Sequence, residues 1–319
     1  MKQIKNILAL VGMLALTGSF IFAVQSDPVP EKAPETRKKE GVIDKRVADS
    51  YQISAIEIPR DLNFAGEAVP MDDPEVMERV DREFLVNTYW QSNALLLIKR
   101  ANKFFPIIEP ILAKNGVPDD FKYLAVAESA LMNAVSPAGA TGFWQIMKET
   151  GREFGLEVNG NVDERYHLEK STQAACDYLK KWKERFGNWT MTAAAYNAGP
   201  TGIRRFMDIQ RADDYYDLLL GEETGRYVFR ILAIKEILSH PEKYGYQVGS
   251  EDLYTKVPAF TVEVDTPVMS WADFAQEYEI NYKVLKRHNP WLREAHLNNA
   301  SGKKYVIEIP NKGYYRDSK

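Results

Sequence analysis

The sequence has few of the residues that build disulfide frameworks, metal sites and nucleotide-binding loops. A single cysteine, Cys176, excludes an intramolecular disulfide and a thiolate zinc cage, and we expect it to be a small core residue. The four histidines show no close metal-ligand spacing, and neither a Gly-x-Gly-x-x-Gly segment nor a phosphate loop is present. We therefore predict no metal and no cofactor. The 41 basic and 45 acidic residues give a net charge of −4, without the basic excess that is typical of nucleic-acid-binding proteins.

The N-terminus combines a short basic head with a long uncharged run. Lys2 and Lys5 precede residues 7–24, which carry no charge over 18 positions. This pattern predicts a secretory signal over residues 1–25, and an uncleaved membrane anchor is the alternative, because about 17–25 apolar residues can span a bilayer. Both interpretations predict an exported protein of the periplasm or cell envelope, with membrane anchoring only in the second.

Composition divides the remaining chain into a linker and two folded regions. Residues 26–72 begin with a stretch rich in proline and charge, which predicts a linker and an N-terminal extension. Asp73-Pro74 is a typical helix start, and it opens a helical domain that we place at residues 73–246. Within it, further helices are predicted over residues 91–103, 106–114, 118–128, 148–154, 171–186, 189–196 and 223–238. A small β-α-α-β domain is predicted at residues 257–312, with its elements at 260–264, 271–278, 282–288 and 305–309.

One predicted helix carries a carboxylate into apolar surroundings. Glu128 shares a helix face with Phe121 and Leu124, and most other positions of residues 121–129 are apolar as well. A helix that is apolar on nearly all sides is buried, and burial raises the pKa of a carboxyl group. Such an acid can donate a proton to a leaving group near neutral pH. The alternative is a structural glutamate that pairs with a base or caps a neighbouring helix, and this segment alone does not decide between them.

Three further segments contain residue types that suit a carbohydrate site. The loop at residues 135–142 contains two glycines and a proline, which let a ligand approach the main chain. The Trp144-Gln145 pair that follows offers a flat ring and an amide, although taken alone it is better explained by a core tryptophan beside a surface glutamine. Small residues precede Tyr196-Asn197 at a predicted helix end, and residues 223–228 open a helix that offers a tyrosine hydroxyl.

Together these segments resemble the lytic transglycosylases with a soluble-lytic-transglycosylase (goose-lysozyme-like) domain, in particular the membrane-bound lytic murein transglycosylase D type. The matching motifs follow the order of the family over about residues 74–245. They are Glu128-Ser129, Gly142-Phe143-Trp144-Gln145-Ile146-Met147, Ala195-Tyr196-Asn197-Ala198-Gly199 and the segment around Tyr227. The loop at residues 163–172 is also similar, but His167-Leu168 replaces the usual Asp-Pro. The resemblance implies a mainly α fold with a lysozyme-like helical catalytic domain.

The C-terminal region resembles LysM, the small β-α-α-β glycan-binding module. Residues 260–262 match its first strand, Leu285, Asn289 and Pro290 match its second helix and the following turn, and residues 307–310 match its last strand. It diverges at Val264, where a glycine is usual, and at Pro267. We therefore expect a divergent LysM-like domain, which either binds glycan or serves as a stabilising or protein-docking domain.

The resemblance implies cleavage of the β-1,4 bond between N-acetylmuramic acid and N-acetylglucosamine in the glycan strands of peptidoglycan, without water, to give 1,6-anhydro ends. One carboxylate suffices for this reaction, because the C6 hydroxyl of the substrate replaces the second carboxylate of ordinary glycosidases. Glu128 is then the catalytic acid and afterwards the base, and Tyr227 is expected to lie beside it and set its protonation.

We also expect seven substrate-binding residues. Ser136, Gln145 and Asn197 would form hydrogen bonds, Phe143, Met147 and Tyr196 would line the groove, and Glu223 would bind an N-acetyl group or, preferably, cap its own helix. Two other functions remain open, a hydrolytic muramidase on the same scaffold and a catalytically inactive peptidoglycan-binding protein. Peptidoglycan is the predicted partner, no nucleic acid is expected, and the sequence identifies no cell-wall enzyme as a partner.

Overall fold

The computed structural model describes residues 53–316, so the predicted signal or anchor and most of the predicted linker lie outside the described residues. Its α-helices are α1 (Pro74–Tyr89), α2 (Gln91–Lys114), α3 (Phe121–Ser129), α4 (Lys148–Glu153), α5 (Leu168–Phe186), α6 (Trp189–Ala198), α7 (Pro200–Gln210), α8 (Glu222–Ser239), α9 (Trp271–Glu277) and α10 (Tyr282–His288). Its strands are β1 (Asn63–Phe64), β2 (Glu67–Ala68), β3 (Ala259–Val264) and β4 (Tyr305–Pro310). This architecture confirms the mainly α fold class. In this part of the chain, no helix combines the length and the apolar character that crossing a bilayer requires.

Helix α1 begins as the sequence predicts. The side chain of Asp73 accepts hydrogen bonds from the main-chain N–H groups of Glu75 and Val76, and Pro74 occupies the first turn. A capping carboxylate satisfies N–H groups that have no partner inside the helix, and proline has no N–H to leave unpaired there. These local preferences fix the start of the helical domain.

The long helix α2 corrects one expectation. The sequence predicts two helices that are separated before Pro106, but the structure shows one helix with Pro106 and Pro110 inside it. Each proline removes a main-chain hydrogen bond, which disfavours the helix locally. The buried side chains of Ala101, Ile108 and Leu112 lie on both sides of the first proline, and α2 packs against α3 and α5. Tertiary packing therefore keeps the helix continuous.

Helix α7 was not predicted. It begins at Pro200, directly after Gly199, whose φ of 79° only glycine adopts readily. Proline is favoured in the first turn of a helix, so the Gly199-Pro200 pair ends α6 and starts α7. In the sequence, the Gly199-Pro200 pair predicts only that the preceding helix ends there.

Helix α8 is the centre of the helical domain. It packs against α1, α3 and α6, and its buried side chains include Tyr227, Val228 and Ile231. This packing places the end of α3 and the end of α6 beside the first turns of α8. Cys176 on α5 is fully buried, which confirms its predicted place in the core, and burial raises the pKa of its thiol to about 12.

The C-terminal domain has the predicted order of strand, two helices and strand. β3 pairs antiparallel with β4, so that Ala259 lies opposite Pro310, and the core between sheet and helices includes Trp271 and Leu285. The buried side chain of Asn289 donates to the carbonyls of Leu285 and Glu308 over 3.0 and 2.8 Å and accepts from the N–H of Glu308 over 2.8 Å. This amide therefore ties the end of α10 to β4.

Candidate active site

The end of α3 and the first turns of α8 bring two predicted catalytic residues together. Glu128 lies in the last turn of α3, where Phe121, Leu124 and Ala125 are completely buried, and its carboxylate accepts a short hydrogen bond from the hydroxyl of Tyr227. Glu128 retains a small exposed surface, whereas Tyr227 is buried. The structure thus brings the two residues into contact, and the carboxylate of Glu128 remains partly accessible to solvent.

Burial is the main influence on the protonation of Glu128. It raises the pKa of Glu128 from 4.5 to about 7, and the negative charge of Glu223 adds to this effect. The hydrogen bond from Tyr227 and the positive charge of Arg230 act in the opposite direction, because both stabilise the ionised carboxylate. Burial and the charge of Glu128 also raise the pKa of Tyr227 well above its usual value, so its hydroxyl remains a donor. Glu128 can therefore exist in both protonation states near neutral pH.

Four predicted substrate-binding residues line one cavity of about 330 Å³. They are Gln145, Met147, Tyr196 and Asn197. The cavity is also bounded by Phe154 and Tyr178, so that aromatic rings and amides surround it. Burial, and after it the charge of Glu128, raise the pKa of the hydroxyl of half-buried Tyr196 well above its usual value, so the carboxylate influences this wall of the cavity.

Hydrogen bonds orient the polar groups of the cavity. The hydroxyl of Tyr196 donates to the carbonyl of Trp144 over 2.6 Å, so its ring rather than its hydroxyl is presented to the cavity. The hydroxyl of Thr224 on α8 donates to Asn197 Oδ1 over 2.8 Å. Because Oδ1 is occupied, the Nδ2 group of Asn197 is the part of the amide that remains available as a donor.

Gln145 is held by its own loop. Its Nε2 group donates to the carbonyls of Gly142 and Ala134 over 2.8 and 3.1 Å, and its main chain has a φ of 45°. A positive φ is uncommon for a residue other than glycine and is often found at functional sites. The side-chain oxygen is thus the part of Gln145 that can accept a hydrogen bond from a ligand.

The remaining predicted residues lie outside this cavity. The hydroxyl of Ser136 accepts from the N–H of Ala140 over 3.0 Å and closes the turn of its loop. Phe143 is buried edge-to-face against Phe104, at a ring distance of 4.8 Å. Glu223 is exposed in the first turn of α8, and no side-chain hydrogen bond caps that end of the helix in the structure.

Arg165 was not predicted as a site residue, yet it holds the loop that carries Gln145. Its guanidinium binds both carboxylate oxygens of Asp163 at 2.9 and 2.7 Å and donates to the carbonyls of Gly139 and Ile146 at 3.0 and 3.2 Å. These bonds hold both ends of the segment from residue 139 to residue 146, which contains Gln145. The Asp-Glu-Arg pattern at residues 163–165 was visible in the sequence, but its long-range contacts were not.

Comparisons with known proteins agree with this geometry. Residues 105–218 match the transglycosylase SLT domain, and residues 260–313 match the soluble lytic transglycosylase C-terminal LysM-like domain. The chain is 30% identical over 257 residues to the membrane-bound lytic murein transglycosylase D of Escherichia coli K12 and to the protein of the same name from Escherichia coli O6:H1. Each match covers 78% of this chain and 55% of the relative, so the chain spans about half the length of the curated relatives it matches. The helical domain is therefore identified as a transglycosylase SLT domain over residues 105–218, and a LysM-like domain follows it at residues 260–313.

Proposed function

We propose that the protein is a lytic transglycosylase that cleaves the β-1,4 bond between N-acetylmuramic acid and N-acetylglucosamine in peptidoglycan and leaves a 1,6-anhydro end. The observation that carries this proposal is the carboxyl of Glu128, whose pKa burial raises to about 7. Within the described part of the chain it forms no ion pair, and its hydrogen-bond partner is the hydroxyl of Tyr227. The structural role of a glutamate paired with a base is thus disfavoured.

The proposed reaction uses Glu128 twice. Protonated Glu128 donates its proton to the glycosidic oxygen, and the bond between that oxygen and C1 of the muramic residue breaks. The C6 hydroxyl oxygen of the same residue then forms a bond to C1, and its proton passes to the Glu128 carboxylate, which restores the acid. The hydrogen bond from Tyr227 stabilises the carboxylate between the two transfers, and acid–base catalysis of this kind typically contributes about 10²–10⁴-fold in rate.

The cavity supplies the substrate contacts in this proposal. Asn197 Nδ2 donates to a carbonyl or hydroxyl oxygen of the sugar, and the side-chain oxygen of Gln145 accepts from an amide or hydroxyl group. The ring of Tyr196 and the exposed side chain of Met147 form the apolar wall. Ser136 lies outside this cavity, and it retains a hydroxyl proton to donate because its oxygen acts as acceptor within the loop.

Two other predicted residues take less direct roles. Phe143 supports the loop from behind by packing on Phe104. Glu223 acts through its charge, which favours the protonated form of Glu128, and its exposed carboxylate can reach an N-acetyl group.

We also propose that the protein works at the cell envelope on peptidoglycan strands. The names of the E. coli relatives, which describe membrane-bound murein transglycosylases, support this placement. The N-terminal basic and apolar pattern supports export, either as a cleaved signal or as a retained anchor.

Mass spectrometry of the products released from purified sacculi tests the proposal. The full chain should release muropeptides with anhydro ends, which are about one water lighter than reducing ends because no water enters the reaction. Glu128→Gln should release none, whereas Glu184→Gln, a change of the same type on the exposed surface of α5, should behave as the wild type. Reducing ends would identify a hydrolytic muramidase, and binding to sacculi without release would identify a non-catalytic protein. Normal activity of Glu128→Gln would refute the assignment.

A further inference from the structure

A second concavity lies between the helical domain and the LysM-like domain, and the proposed reaction does not use it. Its volume is about 1020 Å³. Arg100 and Lys103 of α2 and residues 131–133, which follow α3, form one wall, while Arg287 and Trp291 contribute to the other. We call this concavity the interdomain groove.

Direct contacts beside the interdomain groove join the helical domain to the LysM-like domain. The N–H of Asp163 donates to the carbonyl of Trp291 over 2.9 Å, and the N–H of Arg293 donates to the carbonyl of Asn161 over 2.8 Å. The side chain of Val162 is fully buried in the core of the LysM-like domain. Main-chain bonds and a shared core therefore pack the two domains against each other beside the groove.

The carboxylates of the groove already have partners. Glu169 lies 3.2 Å from a ring nitrogen of His167, and Glu308 lies 2.7 Å from His288 and 3.0 Å from Lys256. These contacts help to hold the pKa values of both carboxyl groups below their usual range. The two acids therefore do not neutralise the other cations of the groove.

Three cations of the groove lack a carboxylate partner among residues 53–316. Arg100 donates to the carbonyl of Ala130 over 3.0 Å, and Lys103 lies over the ring of Phe104. Arg287 forms no ion pair or side-chain hydrogen bond with any residue in the described part of the chain. An excess of positive charge is unexpected in one concavity of a chain whose net charge is −4. Unmatched cations that line a concave site attract an anionic ligand.

We propose that the interdomain groove binds the carboxylate-bearing peptide that peptidoglycan carries on its glycan strand. This inference rests on the proposed function. Leu131 lines the groove three residues after Glu128, so the groove lies near the catalytic acid, within the short distance that a peptide attached to a bound strand can span. The exposed side chains of Met132 and Tyr254 give the groove apolar surface for the aliphatic parts of that peptide.

Direct binding measurements with full-length protein test this proposal. The ligands are a peptidoglycan tetrasaccharide that carries its peptides and the same tetrasaccharide after an amidase has removed them. All proteins carry Glu128→Gln, so that no turnover occurs during calorimetry. The groove variant adds Lys103→Gln and Arg287→Gln, and the control variant adds Lys114→Gln and Lys283→Gln. The control removes two exposed, unpaired charges from the same two helices outside the groove, and circular dichroism verifies the folding of both.

We expect the parent protein to bind the peptide-bearing ligand more tightly, by about 5- to 20-fold, since each exposed ion pair contributes up to about fivefold in affinity. The groove variant should lose most of this preference, and the control variant should keep it. The preference should also weaken as salt is raised, because the ions screen exposed charges.

Equal affinity of the parent for both ligands, or equal losses in the two variants, would overturn the proposal. Turnover by the wild-type chain is measured separately on both ligands. Failure to cleave either would refute the proposed function, while the binding data would still decide the role of the groove.

Discussion

Removing the hydroxyl of Tyr227 isolates the contribution of one hydrogen bond to the acid–base chemistry. Tyr227→Phe keeps the aromatic ring, which is buried in the core, and deletes the donor that binds Glu128. In the wild type this bond favours the ionised carboxylate and opposes the effect of burial, and the resulting pKa is about 7. The variant should therefore have a higher Glu128 pKa than the wild type.

The size of the shift follows from the energy of the bond. A hydrogen bond to a charged group contributes about 1.5–3 kcal/mol, and one pKa unit corresponds to about 1.36 kcal/mol. We expect the pKa of Glu128 to rise by about one to two units. In the proposed mechanism Glu128 must be protonated for the first step, so we expect activity below its pKa and a loss of activity as the pH rises through it. The alkaline limb of the pH–rate profile should lie near pH 7 in the wild type and about one to two units higher in the variant.

The assay is kcat/KM against pH on soluble glycan strands, which reports the ionisation of the free enzyme. Tyr244→Phe is the matched control, because the hydroxyl of Tyr244 also donates to a carboxylate, that of Glu236 at 3.2 Å, outside the site. It should leave the limb unchanged. A limb that stays in place or moves to lower pH in Tyr227→Phe would show that this hydrogen bond does not control the catalytic acid.

Four further substitutions have expected outcomes in unfolding experiments. Gly142→Ala should lower the free energy of unfolding by at least about 2 kcal/mol, because its φ is 84° and the added Cβ would lie 2.0 Å from the carbonyl oxygen of Arg165. Gly139→Ala, with φ of 86° and open space, should cost only about 1 kcal/mol, and equal losses would contradict this reasoning. Asn289→Ala should cost about 2–3 kcal/mol in urea unfolding, because it leaves buried main-chain groups unpaired, and a loss below 1 kcal/mol would be inconsistent with that role. The pKa of Glu128 is about 7 in the folded protein and 4.5 in the unfolded chain, so the stability of the wild type falls as the pH rises between these values. Glu128→Gln should therefore gain up to about 3 kcal/mol in free energy of unfolding over the wild type by pH 8. A stability difference between the two proteins that does not change with pH would refute the raised pKa.

Local sequence patterns predicted most of the elements, and they failed where tertiary packing outweighs them. The cap at Asp73 and the turn glycine Gly187, with φ of 81°, act within a few residues and were predictable. Pro106 marks a break by local rules, yet the buried residues on both sides of it keep α2 continuous. No pattern inside one segment contains that information.

In the candidate site, too, local features could be predicted from the sequence and contacts between distant segments could not. The burial of Glu128 could be predicted from the apolar periodicity of α3, and the position of Tyr227 followed from a family resemblance. The hydrogen bond from Thr224 to Asn197 joins two helices, and it decides which end of the amide is free. Such an orientation depends on packing between distant segments, so the sequence could name the residue but not its exposed atom.

The loop at residues 157–167, which contains the departure from the family pattern at His167, has contacts in both domains. The ring of His167 stacks on Trp291 of the LysM-like domain at 5.8 Å, and the neighbouring Val162 enters the core of that domain. On its other side, the same loop uses Arg165 to hold the carbonyls of Gly139 and Ile146. One loop thus contacts the C-terminal domain and supports the segment that carries Gln145. These contacts favour a LysM-like domain that stabilises the loop carrying Gln145, and they place His167 at the contact between the two domains.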